Sequence, residues 1–97
     1  MTTNTRQLSD MAALYNALGS RNRLRIALML LGEPMTVTEI VEAYGGEVSM
    51  PYISAQLALL QRSGIVAYEH SGRYHIYHIA SQDVEALLEV AREAVQR

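Results

Sequence analysis

The chain has 97 residues, a formal net charge of −2 and no cysteine. That length predicts a single domain over residues 1–97, and the lack of cysteine excludes disulfides, zinc–thiolate sites and thiol redox sensing. No apolar run approaches the roughly 20 residues of a membrane-spanning helix and no signal-peptide pattern opens the chain, so we expect a cytoplasmic protein without a membrane partner.

The first half of the chain predicts three helices. Residues 1–7 are polar and are expected to form a frayed tail. Apolar residues at helical spacing then predict a first helix that ends at Gly19 and a second that ends at Gly32. Thr36 and Glu39 have the spacing of a capping box, which predicts the start of a short third helix.

The second half predicts a helix, a hairpin and a final helix. Ser49 is a good N-cap for the fourth helix. Two runs rich in β-branched and aromatic residues, 65–70 and 73–79, flank a predicted two-residue turn at Ser71 and Gly72. The order is therefore ααααββα, a mainly α fold with one β-hairpin. A tight helix pair followed at once by a hairpin is typical of a winged helix-turn-helix.

The outward face of the fourth helix and the tip of the hairpin carry the predicted contacts to double-stranded DNA. A recognition helix reads the major groove through the residues at its N-terminal end. There Gln56 can bridge N6 and N7 of adenine, while serine and tyrosine hydroxyls can reach phosphates or base edges. Arg73 at the tip can enter a minor groove or grip a phosphate. The predicted DNA-binding residues are Ser49, Tyr52, Ser54, Gln56, Arg73 and His75.

Charge and motifs leave two non-catalytic functions open. No glycine-rich phosphate loop, nucleophile elbow or HExxH motif is present, so we expect no enzyme activity. Residues 20–80 carry as many acids as arginines, whereas DNA-binding surfaces are usually basic. A winged-helix protein-interaction module without DNA binding is therefore the alternative. The second helix begins with three arginines, Arg21, Arg23 and Arg25. One of them can face phosphate, but we expect first that one pairs with an acid such as Glu39 or Glu42.

The three histidines of the hairpin suggest a metal site. With the predicted turn, Tyr68 lies opposite His75, so that His70 and His75 share one face and His78 points the other way. Imidazole suits nickel, zinc and copper, but this set needs further ligands. The candidate ligands for a divalent nickel or zinc ion are His70, His75, His78, Asp83 and Glu85. The alternative is that the histidines only donate hydrogen bonds to phosphate, and the fold itself requires no cofactor.

The chain carries four stretches in a characteristic order: ALGSRNRLRI (17–26), TVTEI (36–40), SMPYISAQLALLQRSGIV (49–66) and GRYHIY (72–77). Together they resemble the ArsR (ArsR/SmtB) family of winged-helix repressors. The resemblance implies a homodimer that pairs its first and last helices and places two recognition helices about one DNA turn apart on an inverted repeat. It also implies an effector that changes the spacing or stiffness of those helices.

The resemblance also implies which residues form the dimer interface and where this chain departs from the family. The implied interface residues are Leu8, Met11, Tyr15, Val84, Leu87, Leu88, Ala91 and Val95. Gln56 stands where the family usually has histidine, and Ala55 and Ala58 stand where it often has basic residues. Asp83 matches the family's last-helix metal site, but Glu85 replaces its histidine, so a complete site of that pattern is not expected.

Overall fold

The computed structural model describes residues 2–96, so Met1, which belongs to the predicted tail, and Arg97 lie outside the described residues. The elements, in chain order, are α1 (Thr5–Leu18), α2 (Arg21–Gly32), α3 (Val37–Ala43), α4 (Met50–Arg62), β1 (Val66–Ser71), β2 (Tyr74–Ile79) and α5 (Gln82–Val95). This order confirms the predicted ααααββα fold. No helix within residues 2–96 is long and apolar enough to cross a membrane.

The first helix begins earlier than predicted. The side-chain oxygen of Asn4 accepts a hydrogen bond from the backbone N–H of Gln7 at 2.8 Å, and the Gln7 side chain accepts from the backbone N–H of Asn4 at 3.0 Å. Each side chain thus satisfies a backbone donor that the helix leaves unpaired. The predicted frayed tail through residue 7 is therefore wrong from Thr5 onward.

The helix-turn-helix is built as its sequence predicts. The Thr36 hydroxyl accepts from the backbone N–H of Glu39, and the Glu39 carboxylate accepts from that of Thr36, which confirms the capping box. In α4 the residues at helical spacing, Ile53, Leu57 and Leu60, are fully buried. Because these three side chains are anchored in the core, the opposite side of α4 is left to solvent.

Helix α2 crosses the centre of the core. It buries Ile26, Ala27 and Leu30, while Leu24 on its other side remains 37% exposed. Leu28 is half-buried at the edge of the core. One side of α2 therefore belongs to the protomer's core, and the other presents apolar side chains to the surface.

The hairpin has a different register from the predicted one. Tyr68 lies opposite Tyr77 and His70 opposite His75, so the predicted pairing of Tyr68 with His75 is wrong by two residues. The two turn residues are Gly72 and Arg73, and Gly72 has a φ of 62°. A positive φ at the first loop position matches a type II′ hairpin turn, which glycine adopts without strain. A shift of two residues leaves each side chain on its predicted face.

A short backbone bridge fixes the hairpin, hereafter the wing, against the helix-turn-helix. The N–H of Met35 donates to the carbonyl of Tyr77 at 3.0 Å, and the N–H of Tyr77 donates to the carbonyl of Met35 at 2.8 Å. Val66, Tyr77 and Ile79 on the inner face of the wing are buried in the same core as α4. The wing and α4 are therefore held at a defined distance from each other.

Candidate nucleic-acid interface

The N-terminal half of α4 and the wing border one surface concavity of about 270 Å³. Ser54 contributes from α4, and Arg73 and His75 contribute from the wing. Ser54 and Arg73 are exposed, while His75 is half-buried. Three of the six predicted DNA-binding residues thus lie around a single depression. Each has a side chain that can donate a hydrogen bond to a phosphate oxygen.

The remaining predicted contacts lie on α4 or at its N-cap, and each already has a partner within the chain. The Ser49 hydroxyl caps α4 by accepting from the backbone N–H of Tyr52 at 3.2 Å. The Tyr52 hydroxyl accepts from the side-chain amide of Asn22 at 2.8 Å. Gln56 is half-buried, and its amide oxygen accepts from the Arg23 guanidinium at 3.2 Å. The side-chain oxygen of Gln56 is therefore already bonded within the protein.

Arg23 makes long-range contacts that the sequence did not indicate. Its Nε donates to the carbonyl of Ala17 at 2.7 Å, one Nη donates to the carbonyl of Asn16 at 3.4 Å, and the other Nη donates to Gln56. One guanidinium thus joins the end of α1 to the middle of α4. Its position alone gave no signal, because this contact depends on how three helices pack.

The predicted pairing of an α2 arginine with Glu39 or Glu42 is wrong. Within residues 2–96 no arginine lies within ion-pairing distance of a carboxylate, and the one contact between a basic and an acidic side chain joins His78 to Glu69, with 4.0 Å between the Nε2 and Oε1 atoms. The Glu39 carboxylate is instead used in the capping box of α3. The guanidinium of Arg25 lies over the Tyr44 ring, 4.0 Å from its centroid, in a cation–π contact.

Tyr44 ties the end of α3 to the start of α2. It is buried, and its hydroxyl donates to the backbone carbonyl of Asn22 at 3.3 Å. Burial raises the pKa of the Tyr44 hydroxyl above its ordinary value, the positive charge of Arg25 opposes that rise, and nearby Tyr52 adds to it. The hydroxyl therefore remains a neutral donor across the neutral pH range.

Four rings cover the inner face of the wing toward its tip. The Tyr68 ring stacks on the His75 ring with 4.2 Å between centroids, and His70 meets His75 edge-on at 4.5 Å. Burial, with a smaller contribution from Tyr68, raises the pKa of the Tyr77 hydroxyl. These contacts fix His75 in a ring stack at the edge of the concavity.

The five candidate metal ligands do not come together within one chain. His70 and His75 share the inner face of the wing, as predicted, and His78 lies on the outer face with Glu69. Glu85 borders the same outer concavity as His78, whereas Asp83 borders a different one. Among residues 2–96 no three histidine, aspartate or glutamate side chains form a group that could hold a metal ion.

An apolar face runs along α1, α2 and α5. Met11 and Tyr15 of α1 are each at least half exposed, and Val95 of α5 is 82% exposed. Val84 and Leu88, predicted at the interface, are instead buried in the protomer's own core, because α5 packs that side against α2 and β2. Leu24 and Leu28 of α2, which the sequence did not assign to the interface, extend the face beside Ala91 and Val95.

Comparison with known proteins points to one family of regulators. The family described as bacterial regulatory protein, arsR family, matches residues 20–68. An uncharacterized HTH-type transcriptional regulator of Mycobacterium tuberculosis, Rv0081, is 34% identical over 86 residues, which are 89% of this chain and 75% of the relative. The HTH-type transcriptional regulator NmtR of the same organism is 34% identical over 83 residues, 86% of this chain and 68% of its own.

Solved structures extend the likeness to the whole fold. The structure of Mb0332 from Mycobacterium bovis is described as a homodimeric winged helix-turn-helix DNA-binding domain. It superposes on 97% of this chain and 88% of its own with a TM-score of 0.88 and 27% sequence identity. The crystal structure of Rv0081 covers 99% of this chain and 93% of its own with a TM-score of 0.83 and 30% identity.

Proposed function

The chain belongs to the arsR family of bacterial regulatory proteins, and we propose that it binds an inverted-repeat operator as a homodimer in the cytoplasm. Its relatives are HTH-type transcriptional regulators, and the chain is accordingly a DNA-binding transcription regulator and not an enzyme. Operator binding by a dimer and the identity of the effector are the parts of this function that we propose.

The observation that carries the DNA-binding surface is the convergence of Ser54, Arg73 and His75 on one concavity between α4 and the wing. A duplex laid across this surface meets the exposed N-terminal half of α4 in its major groove and the wing on the adjacent backbone. Arg73 extends from the tip of a rigid hairpin and carries a permanent charge. It is therefore the residue that we expect to contribute most to phosphate binding.

The apolar face supports a second copy as the partner. A small monomer rarely leaves a contiguous apolar surface of this kind exposed to water. The exposed side chains of Met11, Tyr15, Ala91 and Val95 lie on the helices that the family resemblance assigns to dimerisation. The similar domain Mb0332 is itself described as homodimeric. By the family resemblance, a dimer formed through these helices places its two copies of α4 about one DNA turn apart on an inverted repeat.

Arg73→Ala is expected to weaken binding to DNA from upstream of the protein's own gene by at least about tenfold, because it removes one phosphate contact from each protomer of the dimer. The slope of log K against log salt should fall by about 2 in magnitude, since two contacts are lost per complex. Fluorescence anisotropy over a range of salt concentrations measures both quantities. Arg62→Ala is the matched control, since Arg62 is exposed at the far end of α4 and carries the same charge.

Two results would contradict the proposed surface. If Arg73→Ala and the wild type have the same affinity and the same salt slope, the wing does not contact DNA. If the wild type has no affinity for DNA even at low salt, the interaction module without DNA binding becomes the better interpretation.

For the effector, we propose a divalent nickel or zinc ion held in part by His70 and His75, the two imidazoles that share one face of the wing. Their ring centroids are 4.5 Å apart. One chain offers no third ligand at this place within residues 2–96, so the remaining ligands of the proposed ion would come from outside the chain. Calorimetry with nickel and with zinc on the untagged protein should show binding that His75→Ala abolishes. An absence of heat and of thermal stabilisation with both ions would remove metal from the proposal.

A further inference from the structure

Arg23 connects α1, which carries part of the exposed apolar face, to α4, the helix that we propose enters the major groove. We infer that Arg23 is a positioning residue that makes the orientation of the DNA-reading helix α4 depend on α1, and that Gln56 receives this contact instead of reading a base. The coupling to α1 rests on the proposed function, because α1 matters for DNA binding only if its exposed face is covered by a second copy.

The contacts of Arg23 are specific to a guanidinium. The two carbonyls that it reaches, those of Asn16 and Ala17, belong to the last turn of α1. The Asn16 carbonyl also accepts from the N–H of Gly19, which caps the helix. The third contact is the amide oxygen of Gln56 in α4. A planar fork with five fixed N–H donors can serve three acceptors in different directions, whereas a lysine ammonium cannot hold the same geometry. Arg23 is half-buried, and its bonds to Ala17 and Gln56 are partly shielded from water.

Asn22 makes a second contact between α2 and α4, next to that of Arg23 with Gln56. The side-chain amide of Asn22 donates to the hydroxyl of Tyr52, one turn before Gln56 on α4. The backbone carbonyl of Asn22 accepts in turn from Tyr44 at the end of α3. The first turn of α2 therefore holds α4 at two points and α3 at one. Within that turn Arg23 is the residue whose side chain also reaches α1.

These contacts link the apolar face of α1, where we propose that the second copy binds, to α4, where we propose that DNA binds. Met11 and Tyr15 lie on the exposed side of α1, and Asn16 and Ala17 are the next residues along the same helix. A displacement of α1 when a second copy covers Met11 and Tyr15 moves the two carbonyls, and with them the guanidinium that bonds Gln56. Coupling between two sites of this kind is reciprocal, so operator binding should also strengthen the dimer.

The test compares Arg23→Ala, Arg23→Lys, Gln56→Ala and the double variant Arg23→Ala/Gln56→Ala. Arg21→Ala is the matched control, since Arg21 is exposed in the same turn of α2 and makes none of these contacts. Residual dipolar couplings from the full-length dimer without DNA report the orientation of α4 relative to α1. Anisotropy with a duplex that the wild type selects from a random-sequence pool, and with single-base variants of that duplex, reports affinity and specificity.

We expect the couplings of α4 to change in Arg23→Ala and in Gln56→Ala, but not in the control. Each of these two variants should bind every duplex about tenfold more weakly, with an unchanged salt slope. The double variant should bind about as weakly as either single variant, since both substitutions remove the same contact. Arg23→Lys should lie between the wild type and Arg23→Ala, and it decides the orientation measurement if Arg23→Ala does not fold.

Three results would overturn the inference. The first is an unchanged orientation of α4 in the folded Arg23 variants and in Gln56→Ala. The second is a loss in Gln56→Ala that is confined to particular bases and adds to that of Arg23→Ala, which would make Gln56 a base reader. The third is a smaller salt slope in Arg23→Ala, which would place Arg23 on a phosphate. If the wild type binds no duplex, the proposed function fails, and the dipolar couplings alone decide whether Arg23 positions α4.

Discussion

Ala91→Glu is expected to dissociate the homodimer and to remove most of the affinity for operator DNA. Ala91 is exposed in the isolated chain and borders an apolar concavity with Leu24, Leu28 and Val95. Because the dimer is symmetric, one substitution per protomer puts two new carboxylates into the interface. A carboxylate that loses its water on burial costs several kcal/mol, so the dissociation constant of the dimer should rise by at least about a hundredfold.

Ala86→Glu is the control for that experiment. Ala86 is also exposed, and it lies two residues from both Val84 and Leu88, on the side of α5 that faces away from the core. The two variants have the same composition and charge. Sedimentation velocity over a range of protein concentrations should show monomers for Ala91→Glu and dimers for Ala86→Glu. Equal dimerisation of both variants would mean that the second copy binds elsewhere.

Leu57→Ala is expected to lower the free energy of unfolding by about 3 kcal/mol, within the range for removal of a buried leucine side chain. Leu57 has no exposed surface and lies at the centre of the stripe that anchors α4 in the core. A domain of this size has a total stability on the order of 5–15 kcal/mol, so this single substitution removes a large share of it. The measurement is urea denaturation at one fixed protomer concentration, because dimerisation itself adds stability.

Leu59→Ala on the same helix is the control, because it makes the same change in helix propensity at a position that is not fully buried. Leu59 is 36% exposed, and its replacement by alanine should cost less than about 1 kcal/mol. Both variants make the same chemical change two residues apart. If Leu59→Ala were as destabilising as Leu57→Ala, the assignment of the inward and outward faces of α4 would be wrong.

The sequence predicted those parts of the fold that depend on local chemistry. The hydroxyls of Thr36 and Ser49 cap their helices as expected, because an N-cap needs only a side-chain acceptor and the residues just after it. The Asn4 capping box has the same signal, an asparagine followed three residues later by Gln7, but the polar residues around it show no apolar periodicity that would mark the start of a helix. The turn of the wing lies one residue later than predicted, since the side chains do not show which loop position glycine must occupy.

The candidate site was predictable in part. Arg73 and His75 lie near Ser54 because the order of elements brings the wing next to the start of α4. The engagement of Gln56 by Arg23 was not predictable, since it requires the angle between α2 and α4 and the end of α1 at the same place. Long-range side-chain contacts of this kind depend on helix packing, which helical periodicity in a sequence does not specify.

The most direct test of the central claim is the stoichiometry of the wild-type protein on DNA. Sedimentation velocity of the protein with a duplex from upstream of its own gene, and with the same duplex after one half of the inverted repeat has been scrambled, gives the mass of each complex. We predict two protomers on the intact repeat and a loss of tight binding on the scrambled one, because both copies of α4 have to engage. A complex with a single protomer, or equal affinity for both duplexes, would contradict the claim that this chain acts as a homodimer on an inverted repeat.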